Sequence, residues 1–423
     1  MDFTQIETQL SAGDINGAIQ GLCSRMGYPT PSPPADWAQA AGLLARAAGD
    51  DAPDLSRSAQ RLAASPDDLQ SLYDTGFQLF EVGLFDLAAA AFARAEALSP
   101  GLAPIVSELV ASLEELGRYT EAHHLIGRHP HLLDEGFLFV YLAAFNAIAS
   151  GKPAAARALL PRLAPSDSAE RFMADRIHQM LARIAHIRPV TALGPVDLRG
   201  WHFALTGGAL LHLSTAGYAD AMRGRYAFIQ DQLSVCRGAI DLLTELLSAT
   251  GLSPDQVVLL PERGSEALGL ALAQTLGLPT VDFQPDTPGL VVAYDLDALP
   301  MQLQVALRHH HPGQVLWAHA TCWTRPPICT PDIATYLYQH NTAPWEPSLE
   351  GDDPIPAVTG SAAHIAAGIL DADPTDEDAL PEQRAPLWSS LASATGPASP
   401  ASRRDSGLRE RLWYMGPVFS NRF

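Results

Sequence analysis

LQSLYDTGFQLFEVGLFDLAAAAFARAEALSPGL, residues 69–102, reads as two helices joined by a tight turn. Leu72, Gly76 and Leu79 lie on the first helix, Gly83 and Phe85 mark the turn, and Ala88, Phe92 and Ala95 lie on the second. Pro100 closes the unit, because proline has no N–H with which to continue the helix it follows. Small residues at Gly76 and Ala88 let the backbones approach, while Leu79, Phe85 and Phe92 fill the seam between them. The pattern recurs. Gly83, Gly117 and Gly151 are spaced by 34 residues, as are Ala88, Ala122 and Ala156, and a fixed period of this size marks stacked repeats. The second unit begins near Ala103 and places Tyr119 after its turn; the third runs over residues 138–162. Upstream, Pro66 stands 34 residues before Pro100, Trp37 opens an amphipathic segment, and Gly13 and Ala18 keep the offset of Gly83 and Ala88. Four to five repeats result, with residues 171–187 as a closing helix.

Residues 69–102 resemble the tetratricopeptide repeat family at nearly every position of its degenerate pattern, departing at Leu72, Thr75 and Leu79. The resemblance implies an α-solenoid over residues 1–187 whose inner groove, lined by first-helix side chains, takes up a peptide or helix of another protein. Polar first-helix positions not used for packing are the groove candidates: Asp74, Gln78, Glu108 and Asn146. The plainer alternative for each is solvated surface.

The chain has 423 residues, enough for two domains with sizeable cores. Hydrophobic residues make up 47% and charged ones 17%, which suits Ala- and Leu-rich helical layers. A formal net charge of −20 disfavours nucleic acid and anionic membranes as partners. The N-terminal MDFTQIETQL lacks a basic and an apolar region of the kind a signal peptide needs, and no run of about 18 apolar residues suggests a span. Cys23, Cys236, Cys322 and Cys329 show no CxxC spacing, which fits a reducing compartment. These features place the protein in the cytoplasm.

After Pro189 the pattern changes. WHFALTGGALLHLS, residues 201–214, suggests a hairpin turning at Gly207 and Gly208, with His202 opposite His212 and with Arg223 and Arg225 nearby as anion readers or ordinary packing. A long amphipathic helix over 231–250 follows, then VVLLP at 257–261, a helix over 267–276, TVDF at 280–283, LVVAYDL at 290–296, a helix over 300–310 and QVLWAHATCW at 314–323. Strands alternating with helices at this spacing predict an open parallel sheet, so residues 188–347 form an α/β domain, Rossmann-like or phosphoribosyltransferase-like.

The second of those alternatives rests on VVLLPERGSEALGLALAQTLGLPTVDF, which resembles the type I phosphoribosyltransferases. The resemblance implies pyrophosphate bound at the loop of Arg263, Gly264 and Ser265, by backbone N–H groups at a helix N-terminus, with Asp295 as the acid following the next strand. Tyr294 stands where that family has a second acid, and Ala298-Leu299-Pro300-Met301 replaces its Thr/Gly-rich phosphate loop. Proline removes a donor and the larger side chains add bulk, so a degenerate domain without transferase activity is expected.

No metal is expected. His309, His310 and His311 are adjacent and would diverge on a helix, whereas His319, Cys322 and Cys329 lack paired ligand spacing. Cys322 with His319 as its base is likewise disfavoured, because residues three apart on a strand point to opposite faces. Residues 348–423 read as an acidic, largely disordered tail, with one short helix over 360–370. Trp413, Tyr414, Met415, Val418 and Phe419 at its end suit docking on the body or a linear motif. The function these features favour is a non-catalytic protein-interaction scaffold with no cofactor; the alternative is a phosphorylated-ligand sensor or transferase-like enzyme.

Overall fold

A computed structural model describes residues 1–215, 222–350, 353–394, 406–413 and 416–420. The chain divides into two units, Met1–Arg171 and Phe172–Phe423.

The first unit is a succession of helix pairs: α1 (Phe3–Ser11) with α2 (Ile15–Met26), α3 (Pro34–Ala48) with α4 (Pro53–Ala64), α5 (Leu69–Glu81) with α6 (Phe85–Leu98), α7 (Ala103–Glu115) with α8 (Tyr119–Arg128), and α9 (Phe137–Ala149) with α10 (Pro153–Leu159). One turn geometry joins four of the pairs. Gly13, Gly83, Gly117 and Gly151 all have φ between 67° and 83°. The residue after each donates its N–H five positions back: Asp14 to Gln9, Leu84 to Leu79, Arg118 to Leu113 and Lys152 to Ala147, at 2.7–2.9 Å. A left-handed glycine thus ends the first helix and satisfies one of its orphan carbonyls. The seam is as tight as the small residues imply. Ala88, Ala122 and Ala156 are wholly buried, and a Cβ added to Gly76 would lie 2.9 Å from the Phe92 ring.

The division between units falls within α11 (Ser168–Ile187), so most of the helix expected to close the solenoid belongs to the second unit. That unit is built on a parallel sheet. Its strands are β1 (Ala209–Leu210), β2 (Tyr226–Gln230), β3 (Val257–Leu259), β4 (Thr280–Asp282), β5 (Gly289–Asp295), β7 (Gln314–Cys322) and β8 (Ile333–Thr342), with the short β6 (His309–His310) outside it. The spatial order is β1-β8-β7-β5-β3-β4, and β2 also pairs with β8. All these pairings are parallel. Val258, Val291, Ala293, Leu316 and Ala318 pack with Leu299 and with Leu307 of α15 (Met301–Leu307) on one face. On the other, Gly269 of α14 (Arg263–Leu276) sits against Val257, Leu259 and Val292. Both faces are covered, which accounts for the near-continuous burial along β5 and β7.

Two expectations need correction. The stretch expected to be a hairpin is instead α12 (Leu198–Thr206), capped by left-handed Gly207. The 348–423 region is also structured over much of its length. In α16 (Ala362–Asp371), Ile365 and Ile369 are buried; in α17 (Arg384–Ala394), Leu387, Trp388 and Leu391 are. Both helices pack on α13 (Leu233–Thr250). Asp378 is a buried carboxylate bonded to Arg199 and, at 3.3 Å, to Arg384. Trp413 and Val418 are buried while Phe419 is exposed; Tyr414 and Met415 lie outside the described residues.

Candidate functional site

Strand β2 ends at Gln230, and the next residue, Asp231, is the hub of a buried polar cluster at the carboxyl ends of the strands. Its backbone N–H donates to Thr342 at the end of β8, which fixes the chain as it turns into α13. Its Oδ1 accepts from the Gln232 N–H at 2.8 Å. Three donors converge on Oδ2: Tyr294 Oη of β5 at 2.7 Å, His319 Nε2 of β7 at 2.8 Å, and Cys236 Sγ of α13 at 3.6 Å. An ionised Asp231 carboxylate can only accept, so its bond to the imidazole is made through an Nε2–H of His319. The rings of Tyr294 and His319 stack 5.2 Å apart, and the Trp345 ring lies 4.3 Å from that of Tyr294, tilted by 59°. Burial first, then the Asp231 charge, raises the Cys236 thiol and the Tyr294 phenol well above their usual ranges.

The four ligand-binding residues expected from the sequence lie near one another but do not form a free anion cradle. Glu262 reaches forward over the N-terminus of α14 and accepts from the N–H groups of Gly264 and Ser265 and from Ser265 Oγ, each at 2.8 Å. The donors a phosphate would need are therefore taken by the chain's own carboxylate. Ser265 Oγ also accepts from the Tyr294 N–H, and a Cβ on Gly264 would meet the Trp345 indole at 2.3 Å. Arg263 donates to the carbonyls of Val358 and Gly360. Asp295 is buried, accepting from Tyr338 Oη at 2.6 Å and Asn341 Nδ2 at 3.1 Å. Asp297 accepts from Thr321 Oγ1 at 2.9 Å and the Cys322 N–H at 2.7 Å. Burial raises both carboxyls, against the hydrogen bonds that hold them ionised.

The other sequence candidates separate. Cys322 Sγ meets Thr324 Oγ1, Cys329 sits in the apolar core with Val258, and His319 faces Asp231, so these three do not assemble. His310 is buried and bonded to the Gln314 carbonyl.

In the first unit, Asp74 and Gln78 line a concavity of about 270 Å³ between α4 and α5, together with Asp54, Arg57, Arg61, Tyr73 and Phe77. Glu108 is half-buried, its carboxyl raised by burial and then by Glu81. Asn146 departs from the groove expectation: it is wholly buried and donates to Glu114 at 2.6 Å and to the Leu142 carbonyl at 2.9 Å. A polar residue in a first helix can serve the helix–helix seam as readily as a groove.

Fold and site together define a chain of paired helices with a recurring turn followed by a parallel-sheet α/β unit. No protein-family model matches it, and no curated protein does. Among solved structures it is similar to one described as MamA AMB-1, at 18% identity over 38% of this chain and 86% of that one, with a TM-score of 0.26. A second, MamA MSR-1, matches at 17% identity over 41% of this chain and 92% of that one, with a TM-score of 0.24.

Proposed function

We propose that this chain is a non-catalytic scaffold of the tetratricopeptide type, acting in the cytoplasm, that holds a peptide of another protein against its helical-repeat unit. The observation that carries this reading is the concavity between α4 and α5. Its floor offers aromatic surface, with Phe77 38% exposed and Tyr73 half-buried. Its rim carries both signs of charge, Arg57 paired with Asp54 and Arg61 with Asp74. Exposed ion pairs contribute roughly 1 kcal/mol or less, so exchanging them for charges on an incoming peptide costs little. The occupant is a short segment with one large apolar anchor flanked by charged residues. Replacing Phe77 by a photo-cross-linking phenylalanine analogue in cells should yield a discrete adduct that Arg61→Glu or Tyr73→Ala removes. Absence of any adduct, or one indifferent to both changes, would overturn the assignment.

One observation favours a second reading, that the α/β unit senses a phosphorylated small molecule. Strands β4 and β5 leave β3 on opposite sides, and open α/β sheets bind ligands at such a switch point, beside the carboxyl ends of the strands. Asp295 and the Glu262–Ser265 turn lie there. A thermal scan of the full chain with magnesium and phosphoribosyl diphosphate checks it: a rise in the midpoint that Asp295→Asn abolishes supports the sensor, and an unchanged midpoint removes it.

A further inference from the structure

We propose that Asp231, Cys236 and His319 form a binding site for a transition-metal ion of the zinc type. Their ligand atoms all lie within 4.8 Å of one another, and all three side chains are buried. An ion about 2.0–2.3 Å from each ligand holds the ligand atoms roughly 3–4 Å apart. His319 Nε2 and Cys236 Sγ lie 2.8 Å and 3.6 Å from Asp231 Oδ2, so small side-chain shifts suffice. The donor set selects the metal. A thiolate, an imidazole and one carboxylate suit zinc and its neighbours, whereas calcium and magnesium take all-oxygen shells.

Charge points the same way. Asp231 is 4% exposed, and among the described residues its ion-pair contact is His319, with no arginine or lysine in reach. A buried carboxylate without a permanent cation is expensive. A divalent ion bound by the Asp231 carboxylate, the Cys236 thiolate and neutral His319 leaves the cluster with no net charge. Binding releases one proton, from the Cys236 thiol, and moves the imidazole proton from Nε2 to Nδ1, which has no hydrogen-bond partner among the described residues. Tyr294, bonded to Asp231 Oδ2, acts as a positioning residue that orients the carboxylate. The backbone supports the site on rigid elements: β7 supplies the histidine, the first turn of α13 the cysteine, and the junction of β2 with α13 the aspartate.

The test uses the full chain, stripped with a chelator and titrated with cobalt(II). The expected result is one ion per chain and a sulfur-to-cobalt charge-transfer band, which zinc displaces. Cys236→Ser should abolish the band, His319→Gln should weaken binding tenfold or more, and Cys322→Ser with Cys329→Ser should leave both unchanged. Affinity should fall as pH is lowered, since the thiol proton competes. A wild-type chain that is folded by circular dichroism yet takes up no cobalt overturns the proposal. So does a band that survives Cys236→Ser or vanishes with Cys322→Ser.

Discussion

His202 and His212 are both buried, and burial lowers each imidazole from 6.5 to about 4, with Asp378 and Asp376 opposing the shift at His212. In the unfolded chain both titrate near pH 6.5, so between about 6.5 and 4 the unfolded state binds more protons than the folded one. Their contribution to stability is therefore intact above the unfolded value and is lost as pH falls towards 4, on the order of 3 kcal/mol apiece once complete. Urea titrations between pH 7 and 4.5 should show stability falling with acidity, and His202→Gln with His212→Gln should flatten the slope whatever it does to the absolute value. A slope unchanged in the double variant would mean that other groups carry the acid sensitivity. Nothing in the sequence marks His212 as a core residue, and His202 is marked as one only once its segment is read as a helix. Their expected positions on facing hairpin strands came from Gly207-Gly208, a dipeptide that serves a helix C-cap as well as a hairpin turn. Leu198, Trp201, His202 and Leu205 hold the helical spacing that decides it.

At the scale of the element, the glycine turns are the part of the fold most legible in the sequence, because a left-handed residue that closes a helix has few chemical alternatives. Gly83 isolates that effect: a Cβ there meets nothing within 4 Å, so substitution adds backbone strain without a clash. Gly83→Ala should cost about 1–2 kcal/mol, and Gly83→Asn clearly less, because asparagine tolerates this region better. Thermal midpoints of the two variants check this, and equal losses would mean that the turn relaxes out of its left-handed geometry. Strands β3, β5 and β7 were equally legible as apolar runs bounded by turns. The Asp231 cluster was not: it gathers side chains at positions 231, 236, 294 and 319, and parallel pairing joins residues at separations that no local spacing encodes. The 348–423 region misled through composition, since its Pro, Ser and Asp content conceals the apolar face of α17, whereas α16 falls on the short helix expected over 360–370.

For the whole molecule, the division at residues 171 and 172 predicts that unfolding is not one event. Each unit has its own core: Leu72, Phe92 and Ala122 in the first, Val258, Val291 and Leu316 in the second. Of the seven tryptophans, only Trp37 belongs to the first unit. In a Trp37→Phe background, tryptophan fluorescence therefore follows the second unit alone, while far-ultraviolet dichroism follows the helices of both. The two signals should trace different denaturant transitions, and adding Gly83→Ala should shift only the dichroism, because a change confined to one cooperative unit leaves the other's midpoint in place. Coincident curves that move together would show instead that the two units fold as one. The outcome also bears on function. If the units unfold separately, a ligand of the α/β unit raises the fluorescence midpoint alone and a peptide on the repeats raises the dichroic one alone, so the same pair of signals locates whatever this chain binds.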